Sequence, residues 1–274
     1  MPPDVSVIIP AYQAEDLIEN CVRALLKQTL SHERYEILVV DDGSTDMTGE
    51  TAQRAGADHV LKIPHQGPSA ARNAGIAAAQ GDIVLFTDAD CVPASDWIAQ
   101  MIAPFKNPDV MGGKGTYRTQ QHGLIARLTQ LEFEIRYERM TGLPRIDFID
   151  TYAAAYRRAL LQEQGGFDTA FPIPSAEDVE LAFRLARQGY RLVFIPKAWV
   201  RHKHPARLWD YLKRKGTYGF WRALLYLRYP DKAGGDAHTD SMLKWQFLIG
   251  ALLGLTTIVG LFWSPAWLIA LGLL

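Results

Sequence analysis

The sequence has very little cysteine and almost no net charge. Cys21 and Cys91 are its two cysteines, and so few argue against a disulfide framework or a cysteine-rich metal cluster and favour a reducing compartment. A formal net charge of -1 over 274 residues argues against a general nucleic-acid binder, because such a protein needs a basic surface. We therefore expect no nucleic-acid partner.

Long apolar runs are absent from most of the chain, and the exception lies near its C-terminal end. The N-terminal residues do not form a signal peptide pattern, because Asp4 comes early and the apolar stretch 5–9 is too short. Residues 245–263 carry no charge and are long enough to cross a bilayer, which favours a membrane span over a buried soluble helix. A second apolar run starts at residue 266, so we predict a transmembrane region over 245–274 whose second span is cut short.

A basic, aromatic segment precedes the apolar one. Residues 201–232 contain two acids against nine cations, which are Arg201, Lys203, Arg207, Lys213, Arg214, Lys215, Arg222, Arg228 and Lys232. Cationic and aromatic residues before a span are typical of a helix lying in the interface of an anionic leaflet, so we predict an interfacial segment over 206–244. The positive-inside tendency then places the preceding domain in the cytoplasm, at the cytoplasmic membrane. The alternative is a solvated basic helix that packs on that domain.

Short apolar strands alternate with helices over residues 1–205, with no internal repeat. This alternation predicts a Rossmann-like α/β fold with a mostly parallel sheet flanked by helices. In the first half, strands are predicted at residues 5–9, 36–40, 59–63 and 83–86. In the second half, the pattern predicts strands at 110–119, 148–156 and 190–195, and helices at 124–140 and 177–188.

Two acids follow the strand at residues 83–86. Asp88 and Asp90 come directly after Thr87, separated by Ala89. In an open α/β sheet the ligand crevice lies at the carboxyl ends of the strands, and a hard divalent cation takes oxygen ligands. The pair therefore suits a cation, although an isolated Asp-x-Asp is more often an acidic turn with capping aspartates.

Neighbouring strand ends carry groups suited to a nucleotide. Tyr12 offers a ring on which a base could stack. Asp41 and Asp42 can accept hydrogen bonds from ribose hydroxyls, and Arg72, beside Asn73, can pair with a diphosphate through its planar fork. Each residue alone also has an explanation as a turn, core or surface residue. Together they indicate a nucleotide-diphosphate site with a divalent ion.

The second half adds a pair of acids and a pair of histidines. Glu177 and Asp178 begin a helix, where the helix dipole alone favours acids. A transferase acting on a hydroxyl, however, needs a carboxylate to accept its proton. His202 follows the last strand, and its neutral imidazole could complete a metal shell. His204 is a weaker candidate for the same role, and either histidine could instead be a surface residue.

These motifs, in this order, resemble family 2 glycosyltransferases of the GT-A fold, of the membrane-associated bacterial type. The resemblance covers about residues 4–204. It is carried by residues 5–12, by Val39-Val40-Asp41-Asp42-Gly43-Ser44-Thr45-Asp46, by Ala71-Arg72-Asn73-Ala74-Gly75, by Phe86-Thr87-Asp88-Ala89-Asp90, by Gly165-Gly166-Phe167-Asp168 and by Ala176-Glu177-Asp178-Val179-Glu180-Leu181 with Arg184. It implies an inverting transferase that uses a nucleotide-diphosphate sugar donor and Mg²⁺ or Mn²⁺.

The resemblance also implies roles for individual residues. By the resemblance, Pro10, Tyr12 and Asp42 fall on nucleotide contacts, and Asp88 and Asp90 form the metal and diphosphate motif. Together with the residues at the strand ends, the predicted donor contacts are Pro10, Ala11, Tyr12, Asp41, Asp42, Arg72, Asn73, Asp88 and Ala89. The metal falls to Asp88, Asp90 and His202, and the catalytic pair is Asp178, as general base, with Glu177. Residues 1–92 would then form the nucleotide-binding half of a catalytic domain, and residues 93–205 its acceptor and catalytic half.

The predicted acceptor is a hydroxyl of a lipid-linked molecule or a saccharide. Within enzymes, the alternative is a polyprenyl-phosphate sugar synthase, in which a lipid phosphate attacks directly and needs no base. Outside enzymes, the alternative is a non-catalytic GT-A-like membrane scaffold, against which the intact acids argue. A nucleotidyltransferase is disfavoured because the first strand lacks a glycine-rich, basic phosphate loop after it. Processive synthesis is disfavoured because the sequence lacks a Gln-x-x-Arg-Trp motif.

Overall fold

A sheet of eight strands forms the centre of the protein. The computed structural model describes residues 2–171, 176–237, 249–257 and 259. The strands are β1 (Val5–Ala11), β2 (Tyr35–Asp41), β3 (His59–Lys62), β4 (Ile83–Phe86), β5 (Val92–Pro93), β6 (Val110–Arg118), β7 (Ala154–Arg157) and β8 (Arg191–Arg201). Their order in the sheet is β3-β2-β1-β4-β7-β6-β8-β5. The helices are α1 (Glu15–Leu25), α2 (Thr48–Ala55), α3 (Pro68–Ala78), α4 (Trp97–Ile102), α5 (Leu124–Met140), α6 (Arg158–Glu163), α7 (Glu177–Arg187) and α8 (Leu208–Arg228).

The first half of the sheet is parallel, which confirms the prediction for that half. β1 pairs in parallel with β2 and β4, and β2 pairs in parallel with β3. β1 and β2 are buried along nearly all of their length, as expected for parallel strands covered by helices on both faces. The register sets Ala11 beside Asp41 and Ile8 beside Phe86. The chain segments that follow β1, β2 and β4 therefore meet at one edge of the sheet.

Helix α3 lies unusually close to β1. A Cβ atom on Gly75 would lie 2.5 Å from Cγ2 of Ile8, so a larger residue would push helix and strand apart. The helix begins directly after Gly67, with Pro68 in its first turn, where a missing N–H costs nothing. This close packing fixes the helix that carries Arg72 against β1.

The second half of the sheet is mixed, so the prediction of a mostly parallel sheet was wrong there. β7 runs antiparallel to both of its neighbours, β4 and β6, because the chain returns after α5 to fill the gap between them in the opposite direction. β8 is parallel to β6, and β5 is antiparallel to β8. The predicted strand at 148–156 is mostly irregular, with a 3₁₀ turn at Thr151–Ala153 before β7.

Helix α8 packs on the domain through one face. Leu225 and Tyr229 are buried in a cluster with Phe148, Val179 and Phe183. Tyr211 and Lys215 of α8 both bond Glu132 of α5. The opposite face exposes large apolar side chains, which are Leu208, Trp209, Leu212, Phe220, Leu224 and Leu227.

The described residues cover the predicted interfacial segment up to residue 237 and only a small part of the predicted membrane region. Within 245–274 they are 249–257 and 259, and the rest of that prediction lies outside the described residues. Among the helices that the structure describes, none is both long enough and apolar enough to span a membrane.

Candidate active site

The structure brings His202 beside the Asp-x-Asp motif. Val92 pairs with Arg201, and this short antiparallel contact between β5 and β8 delivers the end of β8 to the loop after β4. His202 Nε2 lies 3.1 Å from Asp90 Oδ2, although 112 positions separate the two residues. Ligand atoms of Asp88, Asp90 and the adjacent Cys91 lie within 4.8 Å of one another. Asp90 therefore lies beside both Asp88 and His202, the other two predicted metal residues.

Burial and charge set the protonation of this cluster. Burial raises the pKa of Asp88 to about 6, against the lowering effect of the Arg72 charge. Burial acts in the same direction on Asp90, but the hydrogen bond and charge of His202 outweigh it and lower the pKa of that carboxyl. Burial, together with the charges of Asp88 and Asp90, raises the pKa of Cys91 well above its ordinary value, and its thiol lies 3.6 Å from Asp90 Oδ1 as a donor.

The available donor set fits a divalent cation. Because Cys91 stays a thiol, it contributes a hydrogen bond to Asp90, and the ligands left are two carboxylates and one imidazole. Oxygen ligands suit Mg²⁺ and Mn²⁺ alike, whereas an imidazole nitrogen favours a transition ion such as Mn²⁺. Asp88, Asp90 and His202 thus have the chemistry to hold such an ion.

Arg72 joins the metal motif to the start of α7. Its Nη1 donates to Glu177 Oε1 at 2.8 Å, and its Nη2 lies 3.6 Å from Asp88 Oδ1. The guanidinium is 5.4 Å from the centre of the Phe167 ring. Arg72 and Glu177 are almost fully buried, at 4% and 2% exposure. The guanidinium therefore offsets the charges of acids from two distant motifs, and its contact with a diphosphate stays a prediction.

Asp178 lies half-buried at the first turn of α7. Its Oδ1 accepts from its neighbour Val179 N at 2.8 Å, and its Oδ2 accepts from Thr151 N at 3.3 Å. Burial first, and then the charges of Glu177 and Asp150, raise the pKa of Asp178 well above its ordinary range, against the effect of Arg72. A carboxylate of raised pKa is a stronger base, which suits proton abstraction from a hydroxyl.

On the predicted nucleotide side, the ring of Tyr12 packs on a histidine and is partly exposed. Its ring stacks on His65 with centroids 4.1 Å apart, and 49% of the residue is exposed. Asp42 is buried beneath this pair and accepts hydrogen bonds from Gln66 N and Gly67 N, at 2.8 and 2.9 Å. Its carboxylate therefore holds the loop that leads into α3.

Two other predicted donor residues are engaged with the protein itself. Asp41 is buried and accepts from Ser44 N at 2.8 Å. Asn73 bonds both the N–H and the carbonyl of Phe167, each at 2.8 Å, and so fastens α3 to the turn before α7. Direct donor contacts from these two side chains stay predictions. Of the remaining predicted contacts, Pro10 and Ala11 end β1, and Ala89 lies buried within the metal motif.

A buried lysine near Asp178 was missed by sequence reasoning. Lys114 of β6 has no exposed surface, bonds Asp150, and donates to the Tyr152 hydroxyl at 3.1 Å. That hydroxyl lies 2.8 Å from the hydroxyl of Tyr137. Burial lowers the pKa of Lys114, although Asp150 and Asp178 oppose the shift. A lysine within a glycine-rich strand that is otherwise buried was the signal that could have revealed it.

His204 lies behind His202 rather than beside the acids. Its Nδ1 is 3.3 Å from His202 Nδ1, and its Nε2 is 2.9 Å from Gln130 Oε1. Burial, followed by the charges of His202 and Arg214, lowers the pKa of His204 to about 4. Since both ring nitrogens are engaged, His202 is the histidine available to a metal at Asp90.

The sequence of the domain matches a known family. Residues 6–165 match the family described as Glycosyl transferase family 2, which is more than half of the chain. The chain belongs to glycosyl transferase family 2. This family 2 glycosyltransferase is 33% identical over 263 residues to the pre-mycofactocin glycosyltransferase of Mycobacterium tuberculosis, a match that covers 92% of the chain and 54% of that relative. It is 31% identical over 224 residues to glycosyltransferase AglE of Haloferax volcanii, covering 78% of the chain and 70% of AglE.

The fold of this glycosyltransferase is shared with solved transferases. The mannosyltransferase PcManGT from Pyrobaculum calidifontis, solved in complex with GDP-Man and Mn²⁺, superposes with a TM-score of 0.68 over 100% of this chain and 84% of its own. At 21% sequence identity this likeness shows the fold alone. The GT-A-like arrangement is therefore confirmed, while the chain spans 54% of the length of the mycobacterial relative.

Proposed function

We propose that this glycosyltransferase moves a sugar from a nucleotide-diphosphate donor to a hydroxyl group of a lipid-linked or saccharide acceptor, with inversion at the anomeric carbon. The observation that carries the proposal is the contact of Arg72 with both Glu177 and Asp88. It places the start of α7, with Asp178, and the metal motif on one continuous cluster of charges. A base and a diphosphate site so close together suit a single displacement.

In this mechanism Asp178 accepts the proton of the acceptor hydroxyl as that oxygen attacks the anomeric carbon. Backbone donors from Thr151 and Val179 fix the carboxylate, so it can meet a hydroxyl in one orientation. Asp88, Asp90 and His202 would hold the divalent ion, which would offset the charge that grows on the departing diphosphate. We assign the ion as Mn²⁺ or Mg²⁺, with Mn²⁺ favoured by the imidazole.

We propose that the donor binds to the first half of the domain, residues 1–92, and the acceptor to residues 93–205. The exposed ring of Tyr12, stacked on His65, supports a base at the edge of β1. The presence of GDP-Man in the PcManGT complex supports a nucleotide-diphosphate sugar as the class of donor. We also propose that the exposed apolar side of α8 holds the enzyme on the cytoplasmic face of a membrane.

The decisive variant is Asp178→Asn, which keeps the shape of the side chain but removes the base. We expect release of nucleoside diphosphate in the presence of a hydroxyl acceptor to fall by about 10²- to 10⁴-fold, the contribution of a positioned base. Binding of the nucleotide sugar, measured by calorimetry with Mn²⁺, should stay close to the wild-type value. Asp82→Asn is the matched control, because the side chain of Asp82 is 94% exposed.

Near-normal transfer by the Asp178→Asn variant would show that another group is the base. The same assay distinguishes the proposed transfer to a hydroxyl from the alternative of a polyprenyl-phosphate sugar synthase. If polyprenyl phosphate is glycosylated equally by the wild-type enzyme and the variant, the acceptor is a phosphate, because a phosphate oxygen attacks without a base. Loss of both transfer and donor binding would instead place Asp178 in the donor site.

A further inference from the structure

A line of three buried side chains runs back from the metal motif. His202, His204 and Gln130 are exposed by 5%, 4% and 3%. His202 Nδ1 meets His204 Nδ1 at 3.3 Å, and His204 Nε2 meets Gln130 Oε1 at 2.9 Å. Because solvent is excluded from all three, each nitrogen that carries a proton must donate to its neighbour in the line.

The orientation of the Gln130 amide is fixed by groups that can only accept. Its Nε2 lies 3.2 Å from the carbonyl oxygen of Tyr117 and 3.0 Å from Oε1 of Glu134. A carbonyl and a carboxylate cannot donate, so the NH₂ group must face them. The amide oxygen therefore faces His204.

The direction of the remaining hydrogen bonds follows. Since Gln130 Oε1 accepts, His204 Nε2 carries the proton, and the Nδ1 of a neutral His204 is an acceptor. His202 must then donate from its Nδ1 to His204 Nδ1. The nitrogen left for coordination is His202 Nε2, which lies 3.1 Å from Asp90 Oδ2. Without a cation, a proton on this nitrogen donates to that carboxylate, and it leaves to solvent when a cation takes its place.

We infer that Gln130 and His204 are positioning residues that set the tautomer of His202, so that Nε2 is presented to the cation. This inference rests on the proposed metal role of His202. A ligating histidine commonly donates its second ring N–H to a fixed acceptor, which fixes the ring and raises the basicity of the ligand. In this protein the acceptor is a second histidine, itself oriented by an amide. We call this chain of hydrogen bonds, from Gln130 through His204 to His202, the relay.

Aromatic rings pack against both histidines and restrict their movement. The Tyr117 ring stacks on His202 with centroids 4.6 Å apart, and Phe133 stacks on His204 at 5.7 Å. Gln121 accepts from the backbone N–H of His204 at 2.6 Å and donates to its carbonyl at 3.0 Å. The ring of His204 could thus be replaced by that of phenylalanine with its packing and backbone contacts kept.

The test measures Mn²⁺ binding to the full chain by calorimetry, without any donor or acceptor. His204→Phe and Gln130→Leu should each weaken Mn²⁺ binding by about 10- to 100-fold, the usual effect of removing an outer-shell partner. Thr129→Val is the matched control, because Thr129 is buried next to Gln130 on α5 and bonds only its own helix at Ile125. The affinity of the Thr129→Val variant for Mn²⁺ should equal that of the wild type. His202→Ala should lose at least as much affinity as either relay variant.

A second measurement reads the tautomer directly and does not depend on metal affinity. In long-range ¹H–¹⁵N spectra of the histidine side chains, wild-type His204 should carry its proton on Nε2, and Gln130→Leu should abolish that preference. If both relay variants bind Mn²⁺ like the wild type while His202→Ala does not, the relay is refuted and the proposed ligand stands. If His202→Ala also binds Mn²⁺ normally, the ligand assignment and the relay fail together. A wild-type His204 protonated on Nδ1 would refute the relay by itself.

Discussion

At the scale of single residues, the site is defined by charges that the fold buries. An isolated buried cation costs several kcal/mol, so Arg72 and Lys114 are tolerated only because acids face them. Arg72 faces Glu177 and Asp88, and Lys114 faces Asp150. These two cations allow carboxylates to gather around Asp178 without all of them becoming neutral. The raised pKa of Asp178 is the net result of this balance.

The pH dependence of transfer tests that balance. Asp178 works as a base only when ionised, and burial with the charges of Glu177 and Asp150 raises its pKa, so the rate should fall about tenfold per pH unit below that pKa. Asp150→Asn removes one negative charge, while Arg72 and Lys114 keep their positive charges. The pKa of Asp178 should then fall, and the acid limb of kcat/KM should move to lower pH by about one unit. The profiles are measured with saturating Mn²⁺, so that titration of Asp88 does not contribute.

The exposed Asp82→Asn variant controls for the change in net charge and should leave the acid limb where it is. An acid limb that stays in place for Asp150→Asn would mean that the limb reports another group. Because Asp150 also pairs with Lys114, the stability of the variant is checked by denaturant unfolding at each end of the pH range.

At the scale of elements, the sequence predicted the first half of the domain far better than the second. β1 to β4 alternate with α1 to α3, and β1, β2 and β4 are short runs rich in β-branched residues, whose length and composition locate them. The second half depends on pairings between strands distant in sequence, such as β7 between β4 and β6. No local pattern encodes which strand will fill a gap, so β7 and the direction of its pairing could not be predicted.

The candidate site also combines residues that a local sequence pattern predicts with residues that only the folded structure reveals. Asp88 and Asp90 could be predicted because they follow a strand directly, and the family resemblance added Asp178 and His202. Lys114 could not be predicted as a buried charge, because its acid partner lies 36 positions away and only the folded sheet unites them. The contacts by which Asp42 and Asn73 hold their loops are likewise tertiary, since both bond backbone groups of distant loops.

One element contact makes a prediction about stability. Gly75→Ala adds a methyl group 2.5 Å from the buried Ile8, and overpacking of this kind costs about 1–3 kcal/mol. The gain in helix propensity is about 1 kcal/mol, so the variant should be less stable by up to about 2 kcal/mol. Gly216→Ala in α8 meets no atom within 4 Å and should instead stabilise by up to about 1 kcal/mol. Urea unfolding of both variants measures the difference, and stabilisation by Gly75→Ala would contradict the close packing of α3 on β1.

At the scale of the whole molecule, α8 connects the active site to the proposed membrane surface. One face of the helix is tied to α5 through Glu132, and an electrostatic interaction links Arg214 of α8 with Asp90 of the metal motif. The other face exposes Trp209, Phe220 and Leu227 by 75%, 61% and 80%. If this outer face lies on a bilayer, the metal motif is held at a fixed distance from the lipid headgroups, as a lipid-linked acceptor requires.

A fluorescent label on the outer face of α8 tests this arrangement. Cys21 and Cys91 are fully buried, so a thiol-reactive, polarity-sensitive dye will report a cysteine introduced at the surface. The dye on a Phe220→Cys variant should shift to shorter wavelength when the full chain meets vesicles rich in anionic lipid. The shift should be smaller with zwitterionic vesicles and should weaken as salt rises, since the Debye length falls to about 3 Å at 1 M. The same dye on Asp82→Cys should report water throughout. A Phe220 label that stays in a polar environment on every vesicle would show that the apolar face of α8 does not lie on the bilayer.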